Sequence, residues 1–235
     1  MKTLPILVPC LFILASNALF SQSVIAQNEG RWYQVEFLIF KRLTGTEQSG
    51  EIWRQDISLN YPEKYRYLSN TLPTKAHTLG GHNYALRKSG QYKVLFHKAW
   101  NQQMWGKKKS PAIIIRGGER YGIHRELEGS IKIHIGRYLH VSTDLWLNSF
   151  TIDTQDTSTN NDNPAVPFQL PLLPSKSPNQ NTAGINEFFT ENPQPHHTVV
   201  FREKRRMRSK ETHYIDHPLM GVLVRMLPID PPAPP

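Results

Sequence analysis

The chain has 235 residues and a formal net charge of +9 at pH 7, and Cys10 is its only cysteine. A single thiol excludes intrachain disulfide bonds and cysteine-rich zinc sites. The excess of basic residues favours polyanionic partners but does not identify one.

The first 26 residues have the layout of a secretory signal peptide. Lys2 provides a positive start, residues 4–20 are mostly apolar, and residues 24–26 (Val-Ile-Ala) precede the predicted cleavage site. An uncleaved membrane anchor is the alternative, but the apolar stretch is short for a span and is interrupted by Pro9. We therefore predict export across the membrane, with no stable membrane insertion after cleavage.

Strand and helix signals follow in the first half of the exported chain. "RWYQVEFLIFKR" (31–42) is rich in aromatic and β-branched residues and predicts a buried strand, whereas residues 44–78 predict a loop with one short helix at most. "GHNYALRKSG" predicts a short helix ending at Gly90, and "QYKVLFHKAW" predicts a second strand. Ile113–Ile115 predict a short buried strand, followed by a turn at Gly117-Gly118.

The clearest alternation of apolar and polar residues runs through "SIKIHIGRYLHVSTDLWLN" (130–148). Its phase does not change, which predicts one long strand, or two collinear strands with a bend at Gly136. Odd-numbered side chains would then face the core and even-numbered ones would face away. The predicted core residues are Ile131, Ile133, Ile135, Leu139, Val141, Leu145 and Leu147.

The second half of the chain begins with a polar excursion and ends with strands. Residues 151–195 are rich in Asp, Thr, Asn, Ser and Pro, and we predict a low-complexity loop or insertion there. "HTVVFREKRRMRS" predicts a strand, "THYID" its hairpin return and "MGVLVRMLP" a final strand, while "PIDPPAPP" predicts an extended tail off the sheet.

These elements predict an α+β fold with a mainly antiparallel β-sheet, a few short helices and one long irregular excursion. We expect one domain formed by residues 27–150 and 196–228, with residues 229–235 as a proline-rich tail.

The strand at residues 197–209 carries four cations of one parity, namely Arg202, Lys204, Arg206 and Arg208. Successive members lie about 7 Å apart along an extended strand. Because like charges repel, such a row favours a binding surface for anions. The alternative is a solvated edge strand that resists aggregation. Export argues against nucleic acid and favours peptidoglycan, whose peptides carry carboxylates that arginine binds in bidentate fashion.

A second group of candidates lies on the even-numbered face of residues 130–148. Tyr138, His140 and Trp146 suggest a platform on which sugar rings could stack. The alternative is that another segment covers this face and that Trp146 belongs to the core, as is usual for tryptophan.

The sequence offers no group that predicts catalysis, a cofactor or a metal site. It contains no Gly-x-Ser-x-Gly elbow, and the spacing of His213 and His217 lacks the adjacent glutamate and helical context of a metalloprotease motif. We therefore predict a protein that is not an enzyme. A protein–protein scaffold, a wall hydrolase and a metalloprotein are the alternatives.

Four blocks of the sequence resemble the CsiV family of periplasmic proteins. They are "WYQVEFLIF", "YKVLFHKAWNQ", "ELEGSIKIHIGRYLHVSTDLWLN" and "REKRRMRSKETHYIDHPLMGVLVRMLP". The resemblance implies a periplasmic peptidoglycan-binding protein with a part in cell-wall biogenesis and cell shape. It also implies partnership with a class A penicillin-binding protein and its outer-membrane lipoprotein activator. It assigns no residues to the contact with the wall.

Overall fold

The computed structural model describes residues 28–43, 58–150, 169–175 and 195–232. The predicted signal peptide, most of the 151–195 excursion and the last three residues lie outside the described residues. In chain order the elements are β1 (Trp32–Arg42), β2 (Tyr65–Tyr67), a 3-10 turn (Thr74–Ala76), α1 (Gly80–Ser89), β3 (Tyr92–Gln103), β4 (Ala112–Ile114), β5 (Gly117–Tyr121), β6 (His124–Ile135), β7 (Leu139–Ser149), β8 (His197–Met207), β9 (Thr212–Asp216) and β10 (Met220–Ile229).

The strands form two sheets. One has the order β3-β1-β10-β9, and the other has the order β2-β4-β6-β7-β8 with β5 also paired to β6. All pairs are antiparallel except β2 with β4. The predicted mainly antiparallel sheet is thus confirmed, but with one α-helix among the described residues the fold is mainly β, and α+β is correct only in broad terms.

One hydrophobic core joins the two sheets. Alternate residues of β1, such as Phe37 and Ile39, pack in the same cluster as the odd-numbered residues of β6 and β7. All seven core residues predicted in the 130–148 stretch are buried there. Phe37 stacks on Trp100 with ring centroids 5.8 Å apart. Because the side chains of a strand alternate between faces, this core also determines which residues point outward from each sheet.

Residues 130–148 do not form one long strand or two collinear strands, and this prediction is wrong. β6 and β7 form a hairpin in which Ile135 pairs with Leu139 across three intervening residues. A connection of three residues pairs odd-numbered positions with odd-numbered positions. The alternation therefore continues in phase although the chain reverses its direction.

The predicted hairpin between "HTVVFREKRRMRS" and "THYID" is also wrong. β8 pairs with β7 in one sheet, while β9 pairs with β10 in the other. The chain therefore crosses between sheets after Met207. Lys210 takes up a left-handed conformation (φ 69°) in this crossing, and its amide donates to the carbonyl of Met226.

Three smaller predictions need correction. Gly117-Gly118 opens β5 at an irregular register instead of forming a turn. Ile229 belongs to β10 and pairs with Trp32, so the first residue of the predicted tail lies on the sheet. The loop predicted at residues 44–78 is described from residue 58 onward, and this part contains β2, a strand of three residues that pairs in parallel with β4.

The helix predicted to stop at Gly90 is confirmed as α1. Gly90 follows it with φ 68°, the left-handed conformation that favours glycine at this position. Leu79 and Leu86 pack with Leu38 and Phe40, so α1 covers part of the outer face of the four-stranded sheet. In the part of the chain that the structure describes, no helix is both long and apolar enough to span a membrane.

Gly129 lies at a position of the β6–β7 hairpin where an added side chain would clash. Its φ is +119°, and a Cβ there would lie 2.2 Å from the Asp144 carbonyl oxygen. We expect Gly129→Ala to lower the free energy of unfolding by about 3 kcal/mol, because backbone strain adds to a clash between paired strands. Gly136→Ala is the matched control, since nothing lies within 4 Å of its Cβ position. Urea denaturation measures both, and equal stabilities of the two variants would contradict this account.

Candidate functional site

The candidate residues lie on the outer face of the six-stranded sheet, where β6, β7 and β8 run side by side. Pairing brings His134, His140 and Arg206 into one row across the three strands. The neighbouring row holds Lys132, Ser142 and Lys204, and the one after it holds Ser130, Asp144 and Arg202. The sequence thus predicted correctly that β8 is extended and that its even-numbered cations share one face.

One half of this face is covered. Trp146 is only 1% exposed, and it packs against Leu59, Leu170 and Tyr61, the last with ring centroids 4.8 Å apart. Leu170 belongs to the excursion, and its segment is held down where Tyr67 donates a hydrogen bond to the Pro174 carbonyl (2.6 Å). Trp146 is therefore a core residue, as the alternative interpretation expected, and the predicted exposed platform is wrong at this position.

Arg202 stands at the boundary of the covered half and is engaged within the chain. Its Nε lies 3.1 Å from Asp144 Oδ1, and its Nη2 donates to the Ser58 carbonyl at 3.0 Å. The indole nitrogen of Trp146 donates to the same Asp144 oxygen at 2.8 Å. Arg202 thus holds the segment at Ser58 against the sheet beside Trp146. Because of these contacts, Arg202 is less available to an external anion than the other cations of β8.

The other half of the face is open and basic. Lys204 and Arg206 are exposed, and in the described part of the chain neither forms an ion pair with a carboxylate. The Arg206 guanidinium lies 4.6 Å from the ring centre of Tyr138, and Arg137 approaches the same ring at 5.6 Å. Tyr138 is 38% exposed, so it keeps the predicted accessibility while it orients two cations.

Arg208 follows the last residue of β8 and is exposed. Its nearest acid is Glu211 at 3.9 Å, and both side chains are largely in solvent. An exposed pair at this distance contributes little energy. Arg208 therefore extends the open basic area past the end of the strand.

Two stacked histidines lie at the centre of the open half. The rings of His134 and His140 are 4.9 Å apart and nearly parallel, at 10°. Burial, and after it the electrostatic effect of His140, Lys107 and Lys132, together lower the pKa of His134 to about 4. Burial and the nearby cations Arg206 and Lys107 also lower the pKa of His140. At neutral pH both imidazoles are uncharged.

A groove of about 450 Å³ adjoins the histidine pair. One wall is the turn of residues 106–109, which contributes three consecutive lysines, and the other is the end of the β6–β7 hairpin. Lys109 is paired with Glu29 at 2.9 Å, whereas Lys107 and Lys108 are exposed. The sequence does not predict this wall beside the basic strand, because the turn is distant from β8 in the chain. The run of three lysines was its only signal.

His213 and His217, which the sequence raised as potential metal ligands, make separate contacts. His213 Nε2 lies 3.2 Å from the Arg208 carbonyl oxygen, and the ring of His217 packs on Phe201. Among the described residues, a group of three potential ligands occurs elsewhere, on the outer face of the four-stranded sheet, and comprises Glu36, His77 and His97.

We expect Trp146→Ala to lower the free energy of unfolding by about 3–5 kcal/mol, because it empties a buried site and removes the contacts of two covering segments. Tyr138→Ala should cost less than about 1 kcal/mol, since this ring is partly in solvent. Urea denaturation of both variants checks the difference. A Trp146 variant of unchanged stability would mean that the tryptophan is a surface residue.

The low pKa of His134 predicts that stability depends on pH. A histidine that titrates at 6.5 in the unfolded chain and at about 4 in the folded protein destabilises the fold as the pH falls between these values. We expect a loss of about 1–2 kcal/mol over this interval from His134. His134→Gln should reduce the slope of melting temperature against pH, and an unchanged slope would show that this histidine does not titrate differently on folding.

Comparison with known proteins gives a family and no individual relative. The family described as "Peptidoglycan-binding protein, CsiV" matches residues 7–229. No curated protein and no solved structure matches the chain. The family match spans nearly the whole sequence and includes every strand described above, from β1 to β10. This chain belongs to the CsiV family of peptidoglycan-binding proteins.

Proposed function

We propose that the protein is a non-enzymatic periplasmic factor that binds peptidoglycan through the open basic half of its six-stranded sheet. The family description supports peptidoglycan as the ligand. We choose this surface because Lys204 and Arg206 are exposed there, and no carboxylate among the described residues neutralises them. The predicted signal peptide supports delivery to the compartment in which the wall is found.

Carboxylates of the wall peptides are the groups that this surface fits. Lys132 and Lys204 flank Ser142 on neighbouring strands, and Lys204 and Arg206 succeed each other on β8. Strand geometry separates such positions by about 10 Å across the sheet and about 7 Å along it. The array can therefore engage several carboxylates of one peptide stem, or of neighbouring stems, without crowding.

The uncharged groups of the surface give it a second kind of contact. Neutral His140 has one ring nitrogen that donates and one that accepts, whereas Nδ1 of His134 is buried beneath the surface. The exposed ring of Tyr138 provides a flat apolar face for a sugar or a peptide side chain. Arg206 lies over this ring, and its guanidinium group is of the kind that binds carboxylates in bidentate fashion. A ligand could therefore contact the ring and the charge at the same place.

The family resemblance supports a biological setting for this proposal. In this proposal the protein supports cell-wall synthesis and cell shape together with a class A penicillin-binding protein and its outer-membrane lipoprotein activator. The same exposed cations would also suit an acidic protein partner. Crosslinking in intact cells from position 206, with identification of the captured species, distinguishes the wall from a protein at this surface.

The proposal is tested with purified sacculi from which proteins have been removed. We expect Lys204→Gln/Arg206→Gln to weaken retention on sacculi by about tenfold or more, because two charge-assisted contacts are lost. Lys88→Gln/Lys98→Gln is the matched control, since it removes the same charge from exposed residues of α1 and β3. Both variants should keep the melting temperature of the parent protein.

Other outcomes of the same assay decide against the proposal. A folded Lys204/Arg206 variant that binds as well as the parent would exclude this surface. A parent protein that stays in the supernatant would favour a scaffold that contacts only other proteins. Release of soluble fragments from labelled sacculi would reveal a hydrolase.

A further inference from the structure

Three potential metal ligands meet on the outer face of the four-stranded sheet, away from the basic surface. Glu36 Oε1 lies 2.7 Å from His97 Nε2 and 3.8 Å from His77 Nδ1, and the three ligand atoms all lie within 4.8 Å of one another. The donor atoms around a tetrahedral zinc ion, each about 2.1 Å from the metal, are about 3.3 Å apart. Shifts of less than about 1 Å at the two histidines would reach that spacing.

Rigid elements position these side chains. Glu36 lies on β1 and His97 on the neighbouring β3, where His97 pairs with Leu38 and so shares the outer face with Glu36. His77 directly follows the 3-10 turn Thr74–Ala76 and precedes α1. The site would therefore join two strands to the segment that leads into the helix.

Both carboxylate oxygens of Glu36 accept hydrogen bonds from the segment that leads into α1. The backbone amide and the hydroxyl of Thr78 donate to Glu36 Oε2 at 2.6 and 2.7 Å, and the amide of Leu79 donates to Oε1 at 3.0 Å. Such contacts orient a metal-binding carboxylate. Burial by itself raises the pKa of Glu36, but the hydrogen bonds from His97, Thr78 and Leu79 outweigh burial and lower it to about 2. The carboxylate is therefore charged throughout the neutral range.

His77 supplies an independent sign that a ligand belongs here. Its side chain is only 6% exposed, and both of its ring nitrogens are buried with no hydrogen-bond partner among the described residues. A buried polar group without a partner is costly and calls for an explanation. Its Nδ1 is the atom nearest to Glu36, and the ring lies 4.5 Å from that of His97.

We propose that Glu36, His77 and His97 bind one divalent transition-metal ion, with zinc as the ion that fits best. Two imidazole nitrogens and one carboxylate oxygen form a donor set that zinc commonly takes, with a fourth position left to water. Binding requires His97 to present Nε2 without its proton, so the hydrogen bond from His97 to Glu36 is replaced by two bonds to the metal. The ion would lock residues 77–79 and the start of α1 onto the sheet.

This inference does not depend on the function proposed above. The metal site and the basic surface lie on different sheets, so either one can fail in experiment while the other stands.

The full-length protein, freed of metal with a chelator, is titrated with zinc against a chromophoric competitor. We expect one ion per chain and a rise in melting temperature of about 5 °C at saturating zinc, because zinc binds the folded state in preference to the unfolded one. His77→Gln should lower the affinity for zinc at least tenfold and abolish the thermal shift. Glu36→Gln should also weaken binding, since it removes the charge of the site.

His82→Gln is the matched control, because His82 is an exposed histidine on α1 outside the cluster. It should bind zinc with the affinity of the parent. Circular dichroism in the presence of chelator confirms that each variant is folded. Zinc binding that survives His77→Gln/His97→Gln would place the ion elsewhere, and the absence of binding by the parent would leave the cluster as a polar anchor for α1. Either result overturns the proposal.

Discussion

The arrangement of this protein depends on one shared core between two antiparallel sheets. Phe37 and Ile39 from β1 and Leu145 from β7 belong to the same buried cluster, and each is completely or almost completely excluded from solvent. Full burial of a side chain of this size contributes about 1.5–3 kcal/mol. Because strands alternate, committing one parity of each strand to this core sends the other parity outward. Both candidate sites consist of residues of that second parity, together with groups from nearby turns.

Described segments cover part of each outer face. α1 covers the four-stranded sheet around Phe40, and the segments near Leu59 and Leu170 cover the six-stranded sheet around Trp146. The uncovered part of the six-stranded sheet begins where Arg202 and Asp144 pair. The limits of the basic surface are thus determined by which segments pack on the sheet, and the sequence of β8 alone does not determine them.

Alternation in the sequence was sufficient to identify the inward residues and insufficient to order the strands. The phase of residues 130–148 is the same for a long strand and for a hairpin with a three-residue connection, so the pattern cannot distinguish them. The burial of Trp146 and the meeting of Glu36, His77 and His97 depend on segments far apart in the chain. A local clue existed only for Glu36, which is an acid within the apolar run of β1.

The basic residues of the chain divide into those that stabilise the fold and those that remain accessible. Lys41 of β1 and Lys93 of β3 both pair with Glu126 of β6, so their charges link the two sheets. Arg116 pairs with the fully buried Glu128 at 3.3 Å. Each of these three cations is therefore paired with an acid of the same chain. Lys204 and Arg206 have no such acid within the described residues, so no internal carboxylate offsets the repulsion between them.

Protection of an exposed strand edge is the competing explanation for the cations of β8, and it accounts for less of the surface. β8 ends the order of its sheet among the described strands, and charged side chains on such a strand discourage pairing with other molecules. That effect needs cations only on the edge strand. Here the basic area continues inward to Lys132 on β6 and to Lys107 beside the groove. The two imidazoles between these cations stay neutral at pH 7, which limits repulsion within the array while it keeps hydrogen-bonding groups at its centre. A polyanionic ligand requires an extended array of cations whose charges are only partly neutralised within the protein, as on these three strands. Protection of a strand edge does not require such an array.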